Sequence, residues 1–380
     1  MAAVGPNIKK IAFIFAALLA VGLFLIRTFT LQDASSFVLA RMKECYRNQG
    51  AHSCYLKAAE AMRGRFAIPE ILDVFRDEEI RPEISLRCHE ASHYLGRLAY
   101  ADARDLGAAF NECRAACQSG CYHGVVEGMV KERGMPLLYA DNSAGEIAAL
   151  CGKADDHPYP LLHHVCIHGL GHGFMFITSM DLPASLRLCD LLPADDQIQS
   201  CYSGVFMENS TSSTGGDHPA TYLRDSDPFF PCPILEKKYQ DICYAYQAMR
   251  VAEKSGWDWK QGFSFCHGIP AAFRWTCFSM LGFNQIQTGR EKSTMVSTCV
   301  LAGDAEHRRA CIAGIISSYG YYVGVWQHLL EICAIVQPDT KAACYQTMRQ
   351  VLIGWGFDEA RRKEVCAVIT DRDQRNLCEE

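Results

Sequence analysis

The stretch CAIVQPDTKAAC, Cys333 to Cys344, ends one helical pattern and begins another. Pro338 lacks an N–H and disfavours helical backbone at the residue before it, while Asp339 and Thr340 are residue types that start helices. From Cys344 the chain reads CYQTMRQVLIGWG, helical in pattern until Gly354 and Gly356. The two cysteines therefore flank a short turn, and a disulfide between them would staple two helix ends together. Closing a loop of this length is worth about 2–3 kcal/mol in the chain-entropy model.

The same spacing recurs. From Cys151 onward the cysteines fall into pairs: 151/166, 189/201, 232/243, 266/277, 299/311, 333/344 and 366/378. The last four first members are 33 or 34 residues apart, and so are their partners. A fixed period of this length marks a stack of helical hairpins. Upstream, Cys45 and Cys54 form a shortened pair. Cys121 takes the second-helix role with Cys113 as a plausible partner, which leaves Cys88 for Cys117. Spacing alone keeps the pairing of these last four open.

The expected fold is all-α: an N-terminal transmembrane helix followed by disulfide-stapled helical-hairpin repeats, arranged like an α-solenoid. Residues 1–31 form the membrane segment, 32–175 a histidine-rich set of hairpins, and 176–380 the regular repeats. A Ser-, Thr-, Gly- and Asp-rich insertion at 208–231 reads as a long loop, either a lid over a site or, the favoured reading, a surface excursion. Over about residues 150–380 the period resembles cysteine-rich tetratricopeptide-like repeats. That resemblance implies an architecture and no function, since the tetratricopeptide pattern of Trp, Leu-Gly and Tyr is not legible here.

Residues 11–26, IAFIFAALLAVGLFLI, contain no charge, and Thr28 to Leu31 extend the run. The segment is either an uncleaved anchor or a cleaved signal peptide. Its length and the lack of a clean small-residue cleavage site favour the anchor. Lys9 and Lys10 then keep the N-terminus cytoplasmic and place the bulk outside. Twenty cysteines fit an oxidising periplasm or secretory lumen. Asn209-Ser210-Thr211 would be a glycosylation acceptor only in the latter. A net charge of -6 without basic stripes argues against nucleic acid.

Cys88 opens CHEASHYLG, which holds the H-E-x-x-H spacing in His89, Glu90 and His93. On a helix this puts two imidazoles on one face. Cys121 opens CYHGVVEG and Cys166 opens CIHGLGHG, so His123 with Glu127, and His168 with His172, form two more i, i+4 pairs. His164 extends the last series backward. Later units carry Ser203 and Met207, Ala245 and Met249, Ser279 and Phe283 at the same offsets. The hairpin itself therefore does not require histidine there. Eight of the thirteen histidines lie between residues 89 and 172.

The candidate metal ligands are His89, His93, His123, Glu127, His168 and His172, with Glu90 as candidate general base. The H-E-x-x-H motif resembles that of zincins. It departs from the metzincin extension, which has a third histidine where Ala99 stands, and leaves Glu127 as a gluzincin-like third ligand. One feature complicates a single site. His89 and His93 sit one and five residues after their cysteine, whereas the other pairs sit two and six after theirs. One residue is about 100° around a helix. Either the Cys88 unit is rotated or its histidines serve another site. Six converging ligands exceed what one zinc takes, so a dinuclear centre, copper or iron comes into play.

The expected function is therefore a membrane-anchored extracytoplasmic repeat protein that binds a divalent metal, zinc first, as a hydrolase or oxidase. The alternative is a non-enzymatic scaffold for an envelope protein, peptide or glycan. Its candidate groove would be lined by Trp257, Trp259, Phe263, Phe265, Tyr319, Tyr321, Tyr322 and Trp326, although such aromatics more often pack between units.

Overall fold

Three of the short helices start on aspartate and carry a cysteine in their last turn. Asp181, Asp258 and Asp358 accept hydrogen bonds from the backbone N–H groups of Ala184, Lys260 and Arg361, at 2.9, 3.0 and 2.8 Å, which satisfies donors a helix start leaves orphaned. The Cys333–Cys344 turn works differently. Thr340 uses its hydroxyl to donate to the Gln337 carbonyl, and Asp339 accepts from Arg308. The next helix thus begins without the side-chain cap its sequence suggests.

The computed structural model describes residues 33–47, 52–78, 81–85, 87–114, 116–133, 147, 149–153, 160–211, 221–288, 290–322 and 325–379. All regular structure among them is helical. The helices are α1 (33–47), α2 (His52–Arg63), α3 (Ile68–Asp77), α4 (Cys88–Ala103), α5 (Leu106–Glu112), α6 (Gly120–Arg133), α7 (Pro160–Ile177), α8 (Leu182–Cys189) and α9 (Asp195–Thr211). They continue as α10 (Lys237–Lys254), α11 (Trp259–Gly268), α12 (Arg274–Asn284), α13 (Lys292–Thr298), α14 (Ala305–Tyr322), α15 (Trp326–Ile335), α16 (Lys341–Gly354), α17 (Glu359–Cys366) and α18 (Arg372–Glu379).

The regularly spaced cysteines pair as their rhythm implies, the four whose pairing spacing leaves open join as Cys88 with Cys117 and Cys113 with Cys121, and no cysteine is free. Ten disulfides point to an oxidising, extracytoplasmic or secreted location. The long helices form a row in which α2, α4, α6, α7, α9, α10, α12, α14, α16 and α18 each pack on the next. Short helices such as α8, α11 and α17 brace that row from the other half of each hairpin. The core runs its length, with Phe75, Phe174, Phe206, Phe263 and Phe278 fully buried.

Glycine sets the spacing of the row. A Cβ on Gly96 would lie 2.0 Å from the Cys121 carbonyl oxygen, and one on Gly124 would lie 2.0 Å from that of His93. The contact repeats between α7 and α9, through Gly171 on Cys201 and Gly204 on His168, and between α12 and α14, through Gly282 on Cys311 and Gly314 on Ser279. At these crossings backbone touches backbone. The row also bends back on itself: α14 reaches the Cys117–Ser119 turn, and the Pro82–Ser85 turn reaches Gln285–Thr288.

The insertion begins later than its composition suggests, because α9 continues to Thr211 and takes residues 208–211 into the helix. Asn209 is buried there and donates to the Tyr222 carbonyl at 3.3 Å, so in the folded chain it is closed to glycosylation. Trp259, Phe263, Phe265 and Tyr319 are buried, and Trp257, Tyr321 and Trp326 pack partly buried against the core; the side chain of Tyr322 lies outside the description. The apolar run at 11–31 likewise lies outside the described residues. Among those described, no helix is long and apolar enough to cross a membrane.

Candidate metal centre

Helices α4, α6 and α7 lie side by side, and their facing positions bring all six candidate ligands into one cluster. His123, Glu127 and His172 are almost wholly buried, His93 is buried, and His89 and His168 are partly so. Ring centroids of His93 lie 4.5 Å from His89, 5.4 Å from His123 and 5.1 Å from His172. Three groups have ligand atoms within 4.8 Å of one another: His89–His93–His123, His123–His168–His172 and His93–Glu127–His172.

The glycine crossings explain how α4 takes part despite its offset. Gly171 and Gly282 lie five residues after Cys166 and Cys277 and sit on the next helix's cysteine carbonyl; Gly96 does the same on Cys121. Counting back five from Gly96 gives Ala91, so Ala91 and not Cys88 occupies the second-cysteine place. His93 is then equivalent to His123 and His168, and Arg97 to Glu127 and His172. Cys88 is diverted to the tight turn at Cys117, where Cys117 and Ser119 hold left-handed backbone at φ 52° and 58°. Gly120 leaves room beside that turn: its Cβ would stand 3.1 Å from both the His89 and His93 rings.

Hydrogen bonds fix the rings. His89 Nδ1 donates to the Cys117 carbonyl at 2.9 Å, and His93 Nδ1 donates to Glu127 Oε1 at 2.6 Å. The other Glu127 oxygen accepts from Arg97 Nε at 2.7 Å. Burial opposes ionisation of Glu127, but His93 and Arg97 hold its carboxyl well below the usual carboxylate range, so it is an acceptor. With both Nδ1 atoms protonated, the neutral rings point bare Nε2 lone pairs at each other across 2.9 Å. That geometry is repulsive unless a second proton on one ring, or a metal cation, lies between the two nitrogens. A proton on His89 is disfavoured, because burial first, and then the neighbouring histidines, push it well below the ordinary imidazole range, whereas the His93 ring lies against the Glu127 carboxylate. His123 and His168 are pushed the same way for the same reasons. Both ring nitrogens of His123 are buried without a hydrogen-bond partner.

Two residues beyond the expected set complete the cluster. Glu208 on α9 accepts from His172 Nδ1 at 2.9 Å, and Arg97 balances Glu127. Glu208 was hidden by its place at the edge of a polar stretch; the helical pattern continuing from Cys201 was the available signal. Glu90 lies outside all three groups, with its carboxylate 3.9 Å from Arg87. His164 is exposed, and its carbonyl accepts from Ser200. Comparison with protein-family models, with characterised proteins and with solved structures gave no match.

Proposed function

We propose that this chain is an extracytoplasmic metal-binding protein whose centre lies between α4, α6 and α7, tethered to the membrane through residues 11–31. The observation that carries it is the facing pair of Nε2 atoms on His89 and His93, 2.9 Å apart, with each Nδ1 held by the Cys117 carbonyl or by Glu127. Outer acceptors that lock an imidazole tautomer and leave the other nitrogen free are the usual surroundings of metal-ligating histidine. An all-imidazole inner set with outer carboxylates suits zinc, copper or iron.

A redox role with a small reactant fits better than peptide hydrolysis. His123, Glu127 and His172 sit out of reach of a bulky chain, and Glu90 stands beside Arg87 outside the cluster. A bound copper or iron ion would supply one-electron chemistry. The protein would orient the imidazoles, keep most water out, and hold negative charge beside the ligands through Glu127 and Glu208.

The test is metal analysis of the purified, oxidised protein from metal-replete medium, beside the His89→Ala/His93→Ala double variant. Stoichiometric metal that survives gel filtration in the parent and falls by half or more in the variant is expected. A metal-free parent protein rules the proposal out.

A further inference from the structure

The cluster repeats itself. On α4, His89 and His93 bring their Nε2 atoms to 2.9 Å, and His93 Nδ1 meets Glu127 on the next long helix at 2.6 Å. On α7, His168 and His172 bring theirs to 3.1 Å, and His172 Nδ1 meets Glu208 on the next long helix at 2.9 Å. The histidine-to-glutamate separations are 34 and 36 residues, each reaching the next long helix. The two helix pairs thus make the same set of contacts, although the His168–His172 pair stands one helical turn further along its unit than His89–His93.

His123 lies between the halves. Its ring centroid is 5.4 Å from both His89 and His93, 4.6 Å from His168 and 5.1 Å from His172. It belongs to both all-histidine groups, and it is the ring with two buried, unpartnered nitrogens. A histidine serving one ion needs an acceptor for its second nitrogen, and His123 has none among the described residues.

Resting on the metal reading above, we infer that the centre holds two cations, one on His89 and His93 and one on His168 and His172, bridged by the two ring nitrogens of His123. The neutral ring carries one N–H; when both nitrogens coordinate, that proton passes to buffer and the ring becomes a bridging imidazolate. Glu127 does not define a third cation position. Its Oε1 lies 2.6 Å from His93 Nδ1 and 3.9 Å from His172 Nδ1, the nitrogens that carry protons toward the two carboxylates. Glu127 and Glu208 are outer anions that offset the two cations.

The experiment titrates the metal-stripped full chain with Cu(II), reading copper bound per chain, proton release and integrated electron paramagnetic resonance intensity. Saturation at two copper ions is expected, with intensity that rises at first and then falls well below two spins as the bridge couples them. Proton release should accompany the second step. In His123→Ala the bound copper should recover full uncoupled intensity per ion. Saturation at one ion, or two ions with full two-spin intensity in the parent protein, overturns the bridge while leaving a metal centre in place. Failure to take up copper or zinc overturns the metal reading and the bridge with it. The parent protein's stoichiometry and spin count decide the matter even if the variant does not fold.

Discussion

A hydrogen in place of a methyl group decides how closely two of these helices approach. At Gly314 a Cβ would lie 1.9 Å from the Ser279 carbonyl oxygen and 2.7 Å from the Phe283 nitrogen, all backbone that no rotamer change can move. Gly314→Ala must therefore push α12 and α14 apart, at a cost of about 3 kcal/mol or more. At Gly354, where α16 ends, nothing lies within 4 Å. Gly354→Ala should be neutral to stabilising by up to about 1 kcal/mol, from helix propensity and a less flexible unfolded chain. Urea midpoints of the two variants check this, and a Gly314→Ala protein as stable as the parent would refute the backbone-contact account. At this scale much of the histidine cluster was legible in the chain, because His123, Glu127, His168 and His172 stand where other hairpins carry Ser, Ala, Met or Phe. Arg97 and Glu208 were not. Arginine on a helix face usually marks a solvated surface, and its pairing with Glu127 depends on a helix crossing that only glycine spacing encodes.

Helices are joined side to side by a few polar clamps as well as by glycine contacts. Asp190, just after α8, accepts from Tyr202 on α9 and, at 2.8 and 2.6 Å, from Lys238 and Tyr239 on α10. Burial pushes the Asp190 carboxyl up, but these three donors outweigh it and hold it below the ordinary aspartate value. Since the folded pKa is depressed, the clamp contributes its full stability above the unfolded value, near 3.9. That contribution fades as pH falls through the folded pKa. Asp190→Asn should lower stability at pH 7 by about 1–3 kcal/mol, the scale of hydrogen bonds to a charged group. The deficit should shrink toward pH 2. Thermal melts from pH 7 to pH 2 measure it, and a deficit that stays constant or grows on acidification contradicts the clamp. The hairpins themselves were readable from the cysteine period, since a staple at each turn repeats with the unit. The register of α4 was not, because Cys88 is spent on the Cys117 turn and counting from it misplaces every residue that follows. Gly96, five residues past Ala91, holds the true register in the same way that Gly171 and Gly282 do.

At the scale of the whole chain, stability in a row of hairpins is passed between neighbours and weakens with distance. The metal centre draws on α4, α6 and α7 directly and on α9 through Glu208, while α16 and α18 stand at the far end of the row. An ion at one hundred times its Kd stabilises the state that holds it by about 2.7 kcal/mol. Amide hydrogen exchange through openings that break the centre should therefore slow by roughly a hundredfold on metal loading. The slowing belongs to α4, α6, α7 and α9, with α16 to α18 exchanging at the same rate loaded or stripped. The return contact of the row predicts one exception to simple decay along the sequence: α14, which rests on the Cys117–Ser119 turn beside His89, should gain protection that α15 and α17 do not. Exchange measured on loaded and chelator-treated protein separates the cases. Equal slowing from α2 through α18 would mean the chain opens as one cooperative body, and slowing confined to the early helices without α14 would mean that the return contact carries no energy.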